Sequence, residues 1–336
     1  MKILIIQTSF LGDVILATGL VEFLFASVPN VEIHFLVRRG NEFVLSNNPK
    51  IYKVWIWDKK QGKYKSLFKL INSFRNIKFD AILNLHRFFN TGLLATLSRS
   101  NKVYGFDKNP FSLLYSASVR HNLTEKIGET YQHEVERNLA VAKLLVDTEN
   151  AFLPKIYPSV QDYKLIKQYQ AKSYLCIAPS SIWNTKRWPV EKFVNLINKI
   201  PLHITIYLLG SNDDYLLCDS IKNDSVHKGI INLSGKLSIM QSAALISGST
   251  ATIANDSAPT HLASAMQAPI LTLFCSTIPE FGFGPLGVKS KVLQTKLDLD
   301  CRPCGLHGRI ECPRGHFKCS EIDTTEIIEW LSLPNY

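Results

Sequence analysis

Residues 253–263 read Ile-Ala-Asn-Asp-Ser-Ala-Pro-Thr-His-Leu-Ala, an apolar strand that ends on small polar residues and restarts at once as a helix. Ser257 or Asp256 can cap that helix, and Pro259 suits its first turn. The first backbone N–H groups of such a helix attract anions, for example a diphosphate. The stretch therefore predicts a strand–turn–helix unit with an anion site at the carboxyl edge of a sheet.

A similar unit lies near the start of the chain, where a predicted strand runs into Ser-Phe-Leu-Gly-Asp at residues 9–13. Gly12 lets the backbone approach a ligand, and Asp13 stands at the start of a predicted helix over 14–25. An aspartate in this position is often only a helix cap, but a general base needs position more than an unusual pKa. We interpret Asp13 as the candidate base. Two other residues are alternatives for acid–base chemistry: Asp256 and His261.

Apolar runs of strand length alternate with amphipathic helical runs along all 336 residues. This alternation predicts an α/β fold with helices on both faces of mainly parallel sheets. The predicted strands fall into two sets, at residues 2–6, 32–37, 53–57, 81–84 and 103–105, and at residues 174–178, 204–209, 230–233, 251–254 and 270–274.

The length suits two domains, each with its own core. A helix over 134–146 would close the first domain, and residues 153–163, with two prolines and no clear period, would form a linker. We therefore predict three parts of the chain, with a helix expected at residues 324–333: domain 1–155, domain 156–322 and a C-terminal helical segment 323–336 that packs back.

Composition narrows the class of protein. Hydrophobic residues make up 46% of the chain and charged residues 20%, as in globular proteins, and no apolar run approaches the length of a membrane helix. The chain begins as a strand and not as a signal peptide, so we expect a cytoplasmic protein. No Gly-x-Gly-x-x-Gly turn follows the first predicted strand, and no Gly-x-x-x-x-Gly-Lys-Ser/Thr loop is present, which disfavours a dinucleotide-dependent dehydrogenase and a P-loop enzyme.

The net charge of +10 favours anionic partners. Between Lys53 and Lys78 eight basic residues stand against one acid, Asp58, interleaved with aromatic residues. This segment suits the headgroups of an anionic membrane, and the alternative is a solvated helix face whose aromatics belong to the core. No helix-turn-helix or aromatic platform is evident, so nucleic acid is not an expected partner.

A basic loop follows the predicted strand 174–178. Lys186 and Arg187 could neutralise a diphosphate leaving group without a metal, and Ser180 and Ser181 could add hydroxyl donors. The alternative is an exposed basic loop without a ligand.

Two further turns could contact a nucleotide. Asp213 follows the strand 204–209 and could accept hydrogen bonds from ribose hydroxyls, although the same residues suit a helix cap. Ser238 and Gln241 form a capping box whose backbone could frame an adenine ring, and packing alone would explain it equally well.

A cluster of cysteine and histidine residues lies near the C-terminus: Cys301, Cys304, Cys312, His316 and Cys319. Such residue types bind zinc, but the spacing fits no standard finger, so a structural metal and reduced thiols in an irregular loop are both open. The other three cysteines are expected in the core: Cys176, Cys218 and Cys275.

Taken together, these motifs resemble the heptosyltransferases of lipopolysaccharide core assembly, which are family 9 glycosyltransferases. The resemblance spans almost the whole chain and rests on residues 11–18, 133–138, 186–189 and 255–261. The cysteine block is similar to the tail of the heptosyltransferase II branch.

The resemblance implies a GT-B fold of two facing Rossmann-like domains, with the acceptor on the first and an ADP-linked heptose on the second. It assigns the base to Asp13 and the diphosphate contact to Lys186. The donor phosphates would be surrounded by one turn: Asp256, Ser257, Ala258, Pro259, Thr260 and His261. The acceptor would be contacted by three residues: Ser9, Gly12 and Arg87.

Two departures from the family pattern concern the donor. Relatives commonly show Thr-Gly-Leu or a similar triplet where this chain has Ser257-Ala258-Pro259. The ribose-contacting glutamate of some members has no clear match around residues 212–214.

We therefore expect an inverting transfer of heptose from ADP-heptose to a lipopolysaccharide inner-core or lipid A sugar. It would need no cofactor or metal for catalysis and would take place at the inner face of the inner membrane. The alternatives are a related enzyme that uses another nucleotide sugar, including a UDP-sugar epimerase, and a non-catalytic module that binds nucleotide sugar or nucleic acid.

Overall fold

The computed structural model describes residues 1–60, 62–123, 126–127, 130–148, 150–170, 173–287 and 289–332. The chain divides into two compact units, Met1–Tyr157 and Pro158–Tyr336. The last four residues of the predicted C-terminal segment, 333–336, lie outside the described residues.

The first unit is built on a six-stranded parallel sheet in the order β3-β2-β1-β4-β5-β6. Its strands are β1 (Lys2–Ile6), β2 (Glu32–Arg38), β3 (Ile51–Trp57), β4 (Ala81–Asn84), β5 (Lys102–Phe106) and β6 (Ala117–Val119). Its helices are α1 (Leu11–Leu16), α2 (Thr18–Ser27), α3 (Lys63–Ile77), α4 (Phe89–Leu97) and α5 (Glu134–Lys143). A short antiparallel hairpin precedes α5, formed by β7 (Lys126–Ile127) and β8 (Thr130–Tyr131).

The second unit repeats this plan with a six-stranded parallel sheet in the order β11-β10-β9-β12-β13-β14. Its strands are β9 (Tyr174–Ala178), β10 (Thr205–Leu208), β11 (Ile230–Asn232), β12 (Ala251–Asn255), β13 (Ile270–Phe274) and β14 (Ser290–Gln294). Its helices are α6 (Val160–Ile166), α7 (Val190–Ile197), α8 (Tyr215–Asp224), α9 (Ile239–Ser247), α10 (Ala258–Ala265) and α11 (Thr324–Leu331). The predicted α/β class with parallel sheets is confirmed.

The central strands are buried over nearly their whole length. Residues 3–6 of β1 and all residues of β12 and β13 are buried, because helices cover both faces of each sheet. The strand order reverses direction beside β1 in the first unit and beside β9 in the second. Open parallel sheets bind ligands at the carboxyl ends of the strands at such switch points.

Several predicted boundaries are wrong. The helix expected over 14–25 is two helices that meet at Ala17, and α6 begins inside the expected linker because the Ser159 hydroxyl accepts a hydrogen bond from the Asp162 N–H at 3.0 Å. The sequence interpretation missed β6 and β14, which form one of the two edges of each sheet, because neither has a continuous apolar run.

The helix α11 packs within the second unit. Its residues Ile327 and Trp330 join the core cluster that contains Phe193 of α7. Within the described residues, no helix combines the length and the apolar character needed to cross a bilayer.

Candidate active site

In the second unit, the turn after β12 is tied to the basic loop after β9 by one buried amide. Asn255 accepts a hydrogen bond from the Trp188 N–H at 3.0 Å and donates one to the Pro179 carbonyl at 2.7 Å. Sixty-seven residues of chain separate Asn255 from Trp188, yet this side chain holds the two segments at one edge of the sheet.

The side-chain cap predicted for α10 is absent, which corrects the sequence interpretation. Ser257 stands at the N-cap position, but its hydroxyl turns back to the Asn255 carbonyl at 3.3 Å. Asp256 is engaged elsewhere, so neither side chain covers the N-terminus of the helix. Pro259 lies in the first turn, as predicted.

Two residues of the predicted donor turn are used within the fold. Thr260 is fully buried, and its hydroxyl donates to the Asn255 carbonyl and lies 3.0 Å from the Thr272 hydroxyl. His261 is also buried on α10. These two buried side chains support the turn from the protein interior, while Ser257 and Ala258 stand at the start of the helix.

Lys186 and Asp256 form a buried ion pair. The Lys186 ammonium lies 2.6 Å from a carboxylate oxygen of Asp256, and the Thr277 hydroxyl donates to the same oxygen at 2.6 Å. The side chains are only 13% and 8% exposed. The structure thus joins two residues that the sequence interpretation had assigned separately, and it gives Asp256 the role of partner to a cation.

The other predicted donor residues have separate surroundings. Arg187 donates from Nε to the Ser181 carbonyl at 2.7 Å, Ser181 is buried, and Ser180 is partly exposed. Asp213 is exposed in a short turn that precedes α8. Ser238 caps α9 in the predicted capping box with Gln241.

The cysteine block supports the Lys186 loop, which the sequence interpretation did not foresee. The Thr185 hydroxyl accepts a hydrogen bond from the Arg309 N–H at 2.8 Å, and the Thr185 N–H donates to the Arg309 carbonyl at 3.1 Å. Gly308 has a left-handed φ of +78°, and a Cβ there would lie 3.0 Å from the Thr185 hydroxyl and 3.2 Å from Cγ of Lys186. Only glycine fits this close approach.

Arg302 fastens the same block to the end of β13. Its guanidinium donates to the carbonyls of Cys275 and Thr277 at 2.7 Å each, and to Gln294 at 2.7 Å. The Cys304 N–H donates to the Ser276 carbonyl at 2.8 Å. The sequence signal that could have indicated this anchor is the position of Arg302 between Cys301 and Cys304.

The metal candidates do not converge. Across the ranges that the structure describes, no group of three or more Cys, His, Asp or Glu side chains could hold a metal ion. Cys301 Sγ and His316 Nε2 lie 3.9 Å apart, but no third side chain of the described ranges completes a ligand set with them. The other three cysteines are buried, as predicted, and burial raises their thiol pKa values: Cys176, Cys218 and Cys275.

In the first unit, Asp13 is the third residue of α1, and its carboxylate accepts a hydrogen bond from the Phe10 N–H at 3.1 Å. The residue is partly exposed, but the protein around the carboxyl group excludes much of the water. This desolvation and the negative charge of Glu134 raise the pKa of Asp13 to about 6, against a smaller lowering by a hydrogen bond from Ser9. A carboxylate with this pKa is ionised at neutral pH and is a stronger base than an ordinary aspartate.

Glu134 is a buried anion at the start of α5. Burial alone would raise its pKa, but the neighbouring His121 and Arg137 lower it below its usual range. Arg137 donates to the Glu134 carboxylate at 2.7 Å, and His121 lies 3.7 Å from it. Glu134 therefore stays ionised, and its charge acts on Asp13.

A cavity of about 320 Å³ adjoins the Asp13 loop and is lined by Ser9 and Phe10 of that loop. Its cationic lining residues are Arg38, Lys59 and Lys63, and no acidic residue is among the described residues that line it. The cavity is suited to an anionic group.

Burial keeps a histidine in the same cavity neutral. Burial, and then the charges of Lys59 and Arg87, lower the pKa of His86 to about 3. Lys59 donates to the Thr8 carbonyl at 3.2 Å, and burial lowers its pKa as well. The positive charge of the cavity therefore comes from arginine and lysine.

Of the other predicted acceptor residues, Gly12 is a partly exposed residue of α1, and Arg87 lies 5.7 Å from the centre of the Phe88 ring. The sequence interpretation missed Arg38, Lys59, Lys63 and His86 as one group. Lys59 and Lys63 belong to the basic segment 53–78, Arg38 ends β2 and His86 follows β4, and only the sheet order brings these three segments together.

The basic segment, residues 53–78, divides between the core and the surface of the first unit. Trp57 and Phe74 belong to the core of the first unit, whereas Tyr64 and Phe68 are exposed on α3. Lys59 lies 4.6 Å from the centre of the Trp57 ring. The segment thus contributes to the core, to the cavity and to the surface.

Comparison with known proteins places this geometry in a family. The model of glycosyltransferase family 9 (heptosyltransferase) matches residues 67–311, a range that includes the Lys186 and Asp256 segments. Lipopolysaccharide heptosyltransferase 1 of Campylobacter coli is 27% identical over 296 residues, which cover 82% of this chain and 84% of that protein.

Solved structures share the fold. ADP-heptose lipopolysaccharide heptosyltransferase II of Escherichia coli aligns with a TM-score of 0.79 at 22% identity and covers 98% of this chain and 97% of its own. Heptosyltransferase WaaC of the same organism, solved with ADP-2-deoxy-2-fluoro heptose, aligns with a TM-score of 0.69 at 21% identity and covers 87% of this chain and 92% of its own. With two Rossmann-like sheets of the GT-B type and a family model that spans most of its length, the chain belongs to glycosyltransferase family 9, the heptosyltransferases.

Proposed function

We propose that this glycosyltransferase moves heptose from ADP-heptose to a sugar of the lipopolysaccharide inner core or lipid A. Relatives that match most of its length are named lipopolysaccharide heptosyltransferases, and WaaC has been solved with ADP-2-deoxy-2-fluoro heptose. The observation that carries the proposal is the position of Asp13, a base with a pKa of about 6 whose loop also lines a cationic cavity.

The cavity binds the acceptor in this proposal. Arg38, Lys59 and Lys63 would pair with carboxylates or phosphates of the acceptor sugars. Asn90 also lines the cavity, and its buried side-chain oxygen has no hydrogen-bond partner in the part of the chain that the structure describes. A sugar hydroxyl that donates to this oxygen would satisfy it.

Asp13 acts as the general base. As the acceptor oxygen attacks the anomeric carbon, its proton moves to the Asp13 carboxylate, and the bond between that carbon and the diphosphate oxygen breaks. The electron pair leaves with ADP. A single displacement of this kind inverts the configuration at the anomeric carbon.

The second unit holds the donor. The Lys186 ammonium and the N-terminus of α10 at Ser257 and Ala258 would stabilise the negative charge that grows on the leaving diphosphate. Asp256 pairs with the Lys186 ammonium and so positions it at this edge of the sheet. Lys186 can meet the diphosphate without a bridging metal, which supports catalysis without a cofactor.

The function is tested by incubating the purified protein with ADP-heptose and a deacylated inner-core acceptor. We expect an acceptor product heavier by one heptose and one ADP per product, with no ADP release when the acceptor is omitted. Turnover of UDP-sugars to an epimer, or transfer from another nucleotide sugar at a higher rate, would contradict the proposal.

We predict that Lys63→Ala raises the acceptor KM about tenfold at low salt, because one cavity cation is lost. The difference should shrink as salt screens the remaining attraction. Steady-state kinetics in a salt series measures both. Lys69→Ala is the matched control, since Lys69 lies on the same helix but does not line the cavity. An equal effect of both substitutions would contradict the role of the cavity.

We predict that dialysis against a chelator leaves the initial rate of transfer unchanged, because Lys186 and the helix amides replace a metal at the diphosphate. Elemental analysis of the same samples also tests for a structural metal bound by the cysteine block. Such a metal stays a prediction, since the described residues form no ligand set of three or more side chains. A rate that falls with chelation and returns with Mg²⁺ would contradict metal-independent catalysis.

We also propose that the protein works at the inner face of the inner membrane without spanning it. The exposed basic residues of α3 and the net charge of +10 support attraction to anionic lipid headgroups. A lipid-anchored acceptor would be met there.

A further inference from the structure

An exposed apolar rim lies beside the cavity of the first unit. It is formed by Phe88, Phe89, Leu113 and Leu114, which are 54%, 54%, 96% and 64% exposed. Single exposed apolar residues are common on protein surfaces, but large apolar side chains on neighbouring loops mark a surface that binds something.

The two loops that carry the rim are held together by Asn109. This buried side chain donates to the carbonyls of His86 and Phe88 at 2.9 and 3.1 Å and accepts from the Phe111 N–H at 2.9 Å. The rings of Phe89 and Phe111 also pack edge to face, with 5.1 Å between centroids. These contacts beneath the rim hold the two loops in place and keep the rim residues exposed.

Each of the two loops that carry the rim also carries a basic residue. Arg87 lies over the Phe88 ring, and Lys108 is exposed in the same loop as Leu113. Phe88 also lines the cavity together with Lys63, so the rim is continuous with the proposed acceptor site. Apolar side chains bordered by lysine and arginine match an anionic bilayer surface. The apolar side chains enter the boundary with the acyl chains, and the basic side chains contact the headgroups.

We propose that Phe88, Phe89, Leu113 and Leu114 insert into the interface of an anionic bilayer and hold the mouth of the cavity against a lipid-anchored acceptor. The choice of a bilayer rests on the proposed function, since the acceptor is a lipid. The rim supplies the apolar part of membrane binding, which salt does not screen, and the basic residues supply the part that salt does screen.

The test uses the full-length protein and vesicles of phosphatidylethanolamine and phosphatidylglycerol. We expect Leu113→Ser combined with Leu114→Ser to lower vesicle partitioning about tenfold, with most of the loss in the portion that survives high salt. Both side chains point away from the core, so thermal unfolding should not change. The matched control combines Leu202→Ser and Leu216→Ser, which are 73% and 79% exposed on the second unit.

A direct probe of insertion is Leu113→Trp. Its fluorescence should be quenched by vesicles that contain brominated acyl chains more strongly than that of the unmodified protein. Equal quenching, or unchanged partitioning of the double variant, would overturn the proposal. Loss of self-association in that variant, measured by sedimentation, would assign the rim to a second copy of the chain and would also overturn it.

Activity assays separate this inference from the proposed function. The double variant should transfer heptose to a deacylated, water-soluble acceptor at the normal rate and to a vesicle-bound acceptor at a much lower rate. Normal rates on both acceptors would refute the inference alone. Absence of transfer by the unmodified protein, together with rim-dependent vesicle binding, would refute the proposed function alone.

Discussion

Replacing Asp13 with asparagine lowers turnover about a thousandfold, the range expected when a positioned general base is lost. Asparagine keeps the size of the side chain and can still accept the hydrogen bond from the Phe10 N–H, but it cannot take a proton from the acceptor. Binding of ADP should be unchanged, because the proposed donor residues lie on the second unit. Single-turnover kinetics and calorimetry measure the two quantities, and near-normal turnover would exclude Asp13 as the base.

The pH dependence gives an independent check. Because the pKa of Asp13 is raised to about 6, kcat/KM should be flat above that pH and fall tenfold for each pH unit below it. Glu134→Gln removes the nearby negative charge and should move this acid limb to lower pH. A limb near pH 4 in the unmodified protein would show that the carboxyl group is not desolvated in solution.

As the pH rises, the contribution of Asp13 to folding stability falls while its activity as a base rises. The folded state holds the pKa of Asp13 above its ordinary value of 3.8, so the stability associated with the protonated carboxyl is fully present below about pH 4 and is lost as the pH rises through about 6. Asp13→Asn removes this loss. We expect the variant to unfold at the same or a higher temperature at pH 8, which separates a catalytic defect from misfolding.

Replacing Lys186 with methionine weakens ADP binding by about a hundredfold, because a buried charge contact is lost and the Asp256 carboxylate then faces the donor diphosphate unpaired. The same substitution should lower the free energy of unfolding by about 3 kcal/mol, since it leaves a buried anion without its partner. Titration calorimetry and denaturant unfolding measure the two effects. Lys222→Met on α8 is the control for loss of a lysine.

A second substitution distinguishes the two roles of Lys186. Adding Asp256→Asn to Lys186→Met removes the unpaired anion, so much of the lost stability should return while ADP binding stays weak. If the double variant regained ADP affinity, Lys186 would act only as a structural partner of Asp256. If neither variant changed the affinity, the diphosphate would bind elsewhere.

Much of the fold could be predicted because its signals are local. The central strands β1, β4, β9 and β13 begin and end at their predicted residues, since a continuous apolar run between polar turns has few other solutions in an α/β chain. The edge strands β6 and β14 lack that signal because neither carries a continuous apolar run. The break at Ala17 lacks a sequence signal as well, because buried helical residues continue on both sides of it, from Val14 to Leu24.

The sequence by itself determined the α/β class, the turn at Asn255 to Pro259 and the position of Asp13 at a helix start, because each depends on neighbouring residues along the chain. Only the tertiary structure decided that Lys186 pairs with Asp256, that Glu134 raises the pKa of Asp13, and that a cysteine-rich loop supports the donor lysine. The physical reason is that ion pairing and desolvation depend on distance and on excluded water. Both are set by the order of strands in a sheet, and spacing along the chain does not encode them.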